Sequence, residues 1–511
     1  MAKLPLLSAK LVRADSSRGG RTPLPDRALL DLPERAVMFG TGALLRGLVG
    51  HLLDESNRAG KFNGRIVAIG STGSGRDNLL NSQDGLFTLL SEGVYEGQTE
   101  RDYRVISSIR RALSASHWND VLALARNPDI GVIFSNTTEV GIALEKDDGP
   151  ELLPPKSFPA KLTRFLFERA RAFDYSAASG VLVVPCELVD RNGELLGELA
   201  LQLAEEWRLG DKFTEWLCES VSFANTLVDR IVSGAPDLSR MDVIESELGF
   251  RDSLVTVCEP YRLLAVEGDK RIRDWVVRVS ADPGFFATDD VGPYRERKVR
   301  ILNGGHTTMV PAALLAGLET VHDVMSDEQL GAFVRAAIFE EIIPPLQVPG
   351  AEKFAREVLE RFANPFIDHS LIDISLHGTA KMRTRIIPSL VAYSAREGRP
   401  PANLTFGFAA HLVFMRGDIH SARAAAHLPV PADNARDHLR AAWRDAGSSS
   451  ESISRMVEEL CADSELWGTD LTALPGFVSA VNRNVSAILR DGARAALKYA
   501  AGPRIEARMA S

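Results

Sequence analysis

Short apolar runs rich in β-branched residues alternate with segments of helical period through the first half of the chain, whereas helical period dominates the second half. In the first half the runs at 36–39, 65–69, 131–135, 181–185, 220–223 and 255–258 read as strands, with helices over 44–58, 160–172 and 196–206 between them. Alternation of this kind is the pattern of an α/β domain with a mainly parallel sheet. An extra strand is expected over 103–109. A loop is expected over 147–158, where Pro150, Pro154 and Pro155 crowd together and Pro159 follows.

From about Arg297 onward strand signals become rare. Segments of 3.6-residue period follow one another at 298–316, 327–342, 351–362, 404–415, 434–443, 450–462 and 478–500. A mostly α-helical second domain over 297–511 is therefore expected to follow an α/β domain over 1–296, with 290–297, containing Gly292 and Pro293, as the junction. The length of 511 residues agrees, since a single core stops growing well below that size.

Composition narrows the function classes. Apolar content of 45% and charged content of 25% are those of an ordinary globular protein. A net charge of −9, with acidic and basic residues interspersed, leaves no electrostatic footprint for nucleic acid or an anionic membrane. No segment approaches the ~20 apolar residues of a membrane span, and a cytoplasmic protein is expected. Cys186, Cys218, Cys258 and Cys461 lie far apart and form no C-x-x-C pair. Together with the lack of any His/Cys/carboxylate cluster at zinc-ligand spacing, this predicts no metal site. The sequence carries no signal of oligomeric state.

Two places carry chemistry. The first is Arg35-Ala-Val-Met-Phe-Gly40-Thr-Gly42-Ala-Leu-Leu-Arg46, an apolar strand running through a Gly-x-Gly turn into a helix. Such a turn lets a pyrophosphate approach backbone N–H groups at the helix N-terminus, where the dipole favours negative charge. The third glycine of the usual fingerprint is replaced by Leu45. At the end of the second strand, where an acid often holds the ribose of NAD, the sequence offers Ser71, Ser74 and Arg76, and no acid before Asp77. Both NAD and NADP are compatible with this. Asn136, Thr137, Thr138 and Glu139 follow the strand at 131–135, at the carboxyl edge where open α/β sheets bind ligands.

The second place is Lys298-Val-Arg-Ile-Leu-Asn303-Gly-Gly-His306. At the ~100° per residue of an α-helix, His306 falls about 80° and Asn303 about 140° round from Lys298, so an amine, an amide and an imidazole share one wedge. Together they offer a proton donor or acceptor, a donor to a developing oxyanion and a positioning group. Gly304 and Gly305 each cost a helix interior roughly 1 kcal/mol relative to Ala. Two in succession suggest a backbone kept open for something bulky, such as a ligand.

The Lys, Asn, His spacing resembles the long-chain polyol dehydrogenase family, to which the mannitol dehydrogenases belong. Ser135-Asn-Thr-Thr-Glu-Val-Gly-Ile142, Ser157-Phe-Pro-Ala-Lys-Leu-Thr163, Pro185-Cys-Glu-Leu188, Asn225-Thr-Leu-Val-Asp-Arg230, Arg361-Phe-Ala-Asn-Pro365 and Leu466-Trp-Gly468 are similar to the branch of that family that works on tagaturonate and altronate. The resemblance implies a metal-independent, NAD(P)-dependent oxidoreductase, with NADH as the expected cofactor, an N-terminal Rossmann-type domain and a helical C-terminal domain. It further implies Lys298 as general acid/base, with Asn225 and Asn303 around the substrate oxygen, and Gly40, Gly42 and Arg46 at the cofactor. The implied reaction is reversible reduction of D-tagaturonate to D-altronate in hexuronate catabolism. A sugar acid needs a cation for its carboxylate, for which Arg361 and Lys381 are candidates. His306 would bind the substrate oxygen or orient the lysine. Reduction of fructuronate, oxidation of a neutral polyol, and a regulatory nucleotide-binding role without catalysis are the competing readings.

Overall fold

The computed structural model describes residues 4–14, 24–71, 73, 75–137, 141–417 and 432–500. Ser74, Thr138 and Glu139 lie outside the described residues. The chain divides into two compact units: Met1–Gly93 with Thr99–Val291, and Val94–Gln98 with Gly292–Ser511.

The first unit is built on β1 (Glu34–Phe39), β2 (Arg65–Gly70), β3 (Ile109–Ser114), β4 (Val132–Ser135), β5 (Leu182–Pro185) and β6 (Ser222–Phe223). They form one six-stranded parallel sheet in the order β3-β2-β1-β4-β5-β6. Val37 lies opposite Val67 on one side and Ile133 on the other. Along β1, Ala36 and Met38 enter one core with Leu48 and Leu52, while Val37 and Phe39 enter another with Phe158 and Phe165. Burial of both faces explains why these strands read as unbroken apolar runs. Strand order reverses between β1 and β4, the switch point at which doubly wound sheets bind dinucleotides.

Two strand expectations need correction. The run at 103–109 is not one strand: Gln98–Ile106 ends in a separate four-stranded sheet, and β3 begins at Ile109. Between them Ser107 gives its N–H and hydroxyl to Asp54 Oδ1 (2.7 and 2.8 Å), and the Ser108 hydroxyl donates to the Gly50 carbonyl (2.7 Å). These side-chain bonds to a neighbouring helix mark the break between the two sheets, with the Ser108 carbonyl already accepting from Ile66 N of β2 (2.7 Å). The run at 255–258 forms Thr256–Cys258, which belongs to the four-stranded sheet rather than the parallel one.

The described part of the second unit is almost wholly helical. Its centre is the pair Gly304–Leu315 and Ala402–Phe414, each buried on nearly every side, with Phe477–Asp491 packed on the latter. Glu341 is 3% exposed and accepts from Asn403 N, Asn403 Nδ2 and Leu404 N, all at 2.8 Å, so it caps the second central helix from outside. The segment read as one helix over 478–500 is two, Phe477–Asp491 and Ala493–Ala500, parted at Gly492. Most distinctive are three π turns, Lys298–Asn303, Ala337–Ile342 and Met382–Ile386, the first packed against each of the other two. Such turns are rare and gather at functional sites.

Candidate active site

The chemistry-bearing residues occupy one place in each unit. In the first unit β1 ends in Gly40, whose φ of +136° is open to glycine alone among ordinary residues, and Gly42 precedes the helical residues from Ala43. Gly42 provides no side-chain cap, and nothing lies within 4 Å of where its Cβ would stand. This open space beside the helix N-terminus suits a pyrophosphate. Close helix packing, the task of the missing third glycine, falls to Gly47: a Cβ there would meet Val232 at 3.0 Å. The helix makes a π turn over the same stretch, Arg46–Gly50.

Side chains at this edge are largely spent on the protein. Arg46 is 4% exposed and donates through Nη1 to the Thr41 carbonyl (2.6 Å) and through Nη2 to Thr256 Oγ1 (3.0 Å). These two bonds tie the glycine turn to the strand Thr256–Cys258, a bracing role, and leave Nε without a hydrogen-bond partner among the described residues. Burial, then Arg76, pushes its guanidinium down to about 10. Asn136 donates to the Cys186 carbonyl (2.6 Å), and its own carbonyl lies 3.4 Å from the Cβ position of Gly40. Thr137 donates through N and Oγ1 to Glu187 Oε1 (3.0 and 3.2 Å), while Ser135 donates to Glu187 Oε2 (3.0 Å). Glu187, 2% exposed, thus fixes the whole end of β4. Burial holds its carboxyl above the ordinary range, against the pull of those donors.

Asn225 is likewise committed. Its Oδ1 accepts from Gly193 N (3.2 Å) and Glu194 N (3.1 Å), and its Nδ2 donates to Glu194 Oε1 (2.9 Å) and Glu267 Oε1 (3.2 Å). Two acceptances and two donations use up a primary amide. In this arrangement it caps Asn192–Glu206, whose N-cap Arg191 provides no side-chain bond, and has no donor left for a substrate oxygen. At the end of β2, Ser71 is exposed and Arg76 forms no hydrogen bond or ion pair among the described residues. The acid that the sequence lacked at this strand end comes from the next helix. Asp77 Cβ lies 3.7 Å from the Cβ position of Gly70, the last residue of β2. Folding, not spacing along the chain, brings it there.

In the second unit the motif begins on a π turn, not the α-helix assumed from the sequence. An i→i+5 ladder turns the helix less per residue, which moves Asn303, five residues on, toward the face of Lys298. Lys298 is 9% exposed; the half-buried Asn303 amide has no hydrogen-bond partner among the described residues. Packing accounts for one glycine of the pair, Gly305. A Cβ on Gly305 would stand 3.0 Å from Phe362 and 3.2 Å from Ile338, and one on Gly304 3.7 Å from the Arg385 carbonyl and from Ile342. Gly305 lets Phe362 and the π turn Ala337–Ile342 close on the motif, whereas the contacts at Gly304 are ordinary van der Waals distances.

His306 lies with its ring centroid 4.3 Å from Phe362 and 4.9 Å from His369, edge to face with the latter. Its buried Nε2 has no hydrogen-bond partner among the described residues. Burial first, then His369, Arg361, Arg385 and Lys381, holds the imidazole well below its ordinary range, so it is neutral at physiological pH. The same field shows that Arg361 and Lys381, expected as substrate cations, share the neighbourhood of His306. Arg361 is 6% exposed at the end of Ala351–Phe362. Lys381 donates to the Ile374 carbonyl (2.8 Å) and lines a cavity of about 20 Å³ beside Thr307 and His411, room for about one water. Sequence reading missed Arg385 and His369, which stand in no motif and join the site only through folding. Among the described residues no group of three or more His, Cys, Asp or Glu could hold a metal ion, and no helix is long and apolar enough to cross a membrane.

Comparison with known proteins agrees with this division. Residues 34–275 match the mannitol dehydrogenase Rossmann domain and residues 290–489 the mannitol dehydrogenase C-terminal domain. The chain belongs to the mannitol dehydrogenase family. Within it, the chain is 40% identical over 470 residues to the altronate oxidoreductase of Yersinia enterocolitica, covering 91% of this chain and 96% of the relative. It is 40% identical over 472 residues to that of Escherichia coli O139:H28, with the same coverage. The fold is that of Pseudomonas fluorescens mannitol 2-dehydrogenase, solved with NAD and D-mannitol (TM-score 0.72, 24% identity, 97% of this chain and 99% of the other). A substrate-free D-sorbitol dehydrogenase gives a TM-score of 0.74 at 20% identity, over 96% of this chain and 100% of the other.

Proposed function

We propose that this chain is an NAD-dependent altronate oxidoreductase that interconverts D-altronate and D-tagaturonate in hexuronate catabolism. The observation that carries the reading is the uncommitted Asn303 amide on the same π turn as the buried Lys298, in a chain so similar to enzymes of that name. Gly40, whose own N–H is given to the Ile69 carbonyl (2.9 Å), would shape the turn, backbone N–H groups from Gly42 onward would hold the pyrophosphate of NAD, and Asp77 would hold the adenosine ribose. The open space a Gly42 Cβ would fill, and the acid beside the end of β2, both suit that group. Bound NADH would supply the hydride.

The chain's own residues handle charge and proton. As the keto carbon is reduced, negative charge gathers on its oxygen, where Asn303 donates a hydrogen bond already in place. Lys298, as the ammonium, passes one proton to that oxygen and is left a neutral amine. In the oxidation direction the neutral amine takes the hydroxyl proton. His306, neutral, positions the lysine or the substrate oxygen without adding charge. Arg361, with its two-pronged donor set, and Lys381 receive the carboxylate of the sugar acid. The reading includes a reducing, cytoplasmic setting, in keeping with four free cysteines, three of them buried.

The test is a steady-state panel of tagaturonate, fructuronate and fructose with NADH and NADPH. Highest kcat/KM for tagaturonate with NADH is expected. A preference for fructose would replace the sugar acid with a neutral polyol. A preference for NADPH, lost in Arg76→Ala, would assign Arg76 to a 2′-phosphate.

A further inference from the structure

A cavity of about 540 Å³ opens at the amino edge of the parallel sheet, where β1, β4 and β5 begin at residues such as Arg35, Val132 and Leu182. Its rim carries Arg35, Lys61, Arg271 and Arg278 against a single carboxylate, Asp129. In a chain of net charge −9 this is a local reversal of sign. Like charges converge at a cost unless something neutralises them, and the protein does little of that here. Arg35 Nη1 rests on the Phe62 carbonyl (3.3 Å), Lys61 Nζ on the Ser280 carbonyl (2.5 Å) and Arg271 Nη1 on the Ser220 carbonyl (3.1 Å). Carbonyls orient a cation without cancelling its charge. Arg271 Nε stands 3.5 Å from Asp269, a carboxylate shared with Ser222 and the Ile272 N–H. Arg278 has no hydrogen bond or ion pair among the described residues.

Phe62, Trp275 and Val279 also line the cavity, each less than 9% exposed. A cationic rim with apolar side chains beneath it selects an organic anion over a bare inorganic one, and the volume falls within the ~300–1,000 Å³ of small-molecule sites. The six residues of β1 separate this edge from the glycine turn by about 20 Å, so the two ends of the same strands hold different ligands. We propose that this cavity binds a small organic polyanion, a di- or tricarboxylate or a phosphorylated sugar, independently of the dinucleotide.

The experiment titrates citrate and, separately, fructose 1,6-bisphosphate into the full chain saturated with NADH, by calorimetry. The double variant Arg271→Glu/Arg278→Glu, altered only at two exposed side chains, is titrated in parallel. One-to-one binding of either probe is expected, weakened at least about tenfold in the variant, with NADH affinity and thermal unfolding unchanged. The probe that binds more tightly tells carboxylate from phosphate. Absence of binding by both probes up to about 5 mM, or equal affinity in variant and native chain, would overturn the proposal.

Discussion

The dinucleotide edge of the first unit and the π turn of the second solve opposite problems. At the dinucleotide edge, Arg46 Nη1 and Nη2, Asn136 and Asn225 direct their donors into the protein, so that at the glycine turn itself backbone faces a ligand. On the π turn and the helix it leads into, the Asn303 amide and His306 Nε2 lack hydrogen-bond partners among the described residues. Cofactor binding needs a rigid shape that many N–H groups can share, so side chains brace it. Proton transfer needs individual groups left unsatisfied, which costs stability where they are buried and is tolerated where chemistry requires it.

The largest effect expected from this contrast lies in the second unit. Lys298→Ala is expected to cut turnover at saturating substrate by ~10²–10⁴-fold, with NADH binding by fluorescence titration unchanged. Near-normal turnover would place the proton transfer elsewhere.

Next comes a direct comparison of two amides. Asn303→Ala is expected to lower kcat by ~10²–10³-fold, the usual loss for one oxyanion donor, and to leave Tm unchanged. Asn225→Ala, which removes a cap and leaves buried partners unsatisfied, is expected to cost ~1–3 kcal/mol of stability, read as a lower midpoint in denaturant. A large kcat loss without destabilisation in Asn225→Ala would break the division of labour between the two units.

Arg361→Ala sharpens the substrate assignment. Loss of a charge-assisted hydrogen bond is expected to cost roughly ten- to a hundredfold in kcat/KM for tagaturonate, and much less for a neutral ketose the enzyme accepts. Equal losses on both would mean that Arg361 holds hydroxyls or the fold.

The smallest effect is on stability against pH. Burial pushes the Glu341 carboxyl up to about 7, above its ordinary 4.5. The folded chain therefore binds this proton where the unfolded chain has released it. The stability this group contributes is fully present below about pH 4.5 and is lost as pH rises through about 7. In Glu341→Gln the corresponding fall in Tm, on the order of a few degrees, is expected to disappear from a pH series, although the variant is less stable throughout because an acceptor for the Leu404 N–H is gone. An unchanged slope would mean that another group titrates.

The residues that could be read before folding share a property: their signal is local. Strands β1, β2, β4 and β5 were legible because burial on both faces leaves continuous apolar runs. The glycine turn and the Lys298 motif were legible because their chemistry is carried within a dozen residues. β3 was misplaced because its boundary depends on Ser107 and Ser108 bonding to residues more than fifty positions away.

Sequence by itself determined the α/β then helical order, the nucleotide turn and the inventory of a lysine, an amide and an imidazole, since each follows from periodicity or residue type over a short stretch. Tertiary structure alone decided which donors are spent and which remain. Arg46 Nη2 is taken by Thr256, 210 positions away, and Asn225 Nδ2 by Glu194, 31 away. It also decided that Asp77 reaches β2, that Gly305 makes room for Phe362 rather than a ligand, and that the π turn brings Asn303 round toward Lys298. A hydrogen bond is made between groups that folding brings together, and a helix's phase is set by what packs against it; neither is written in the spacing of residues along the chain.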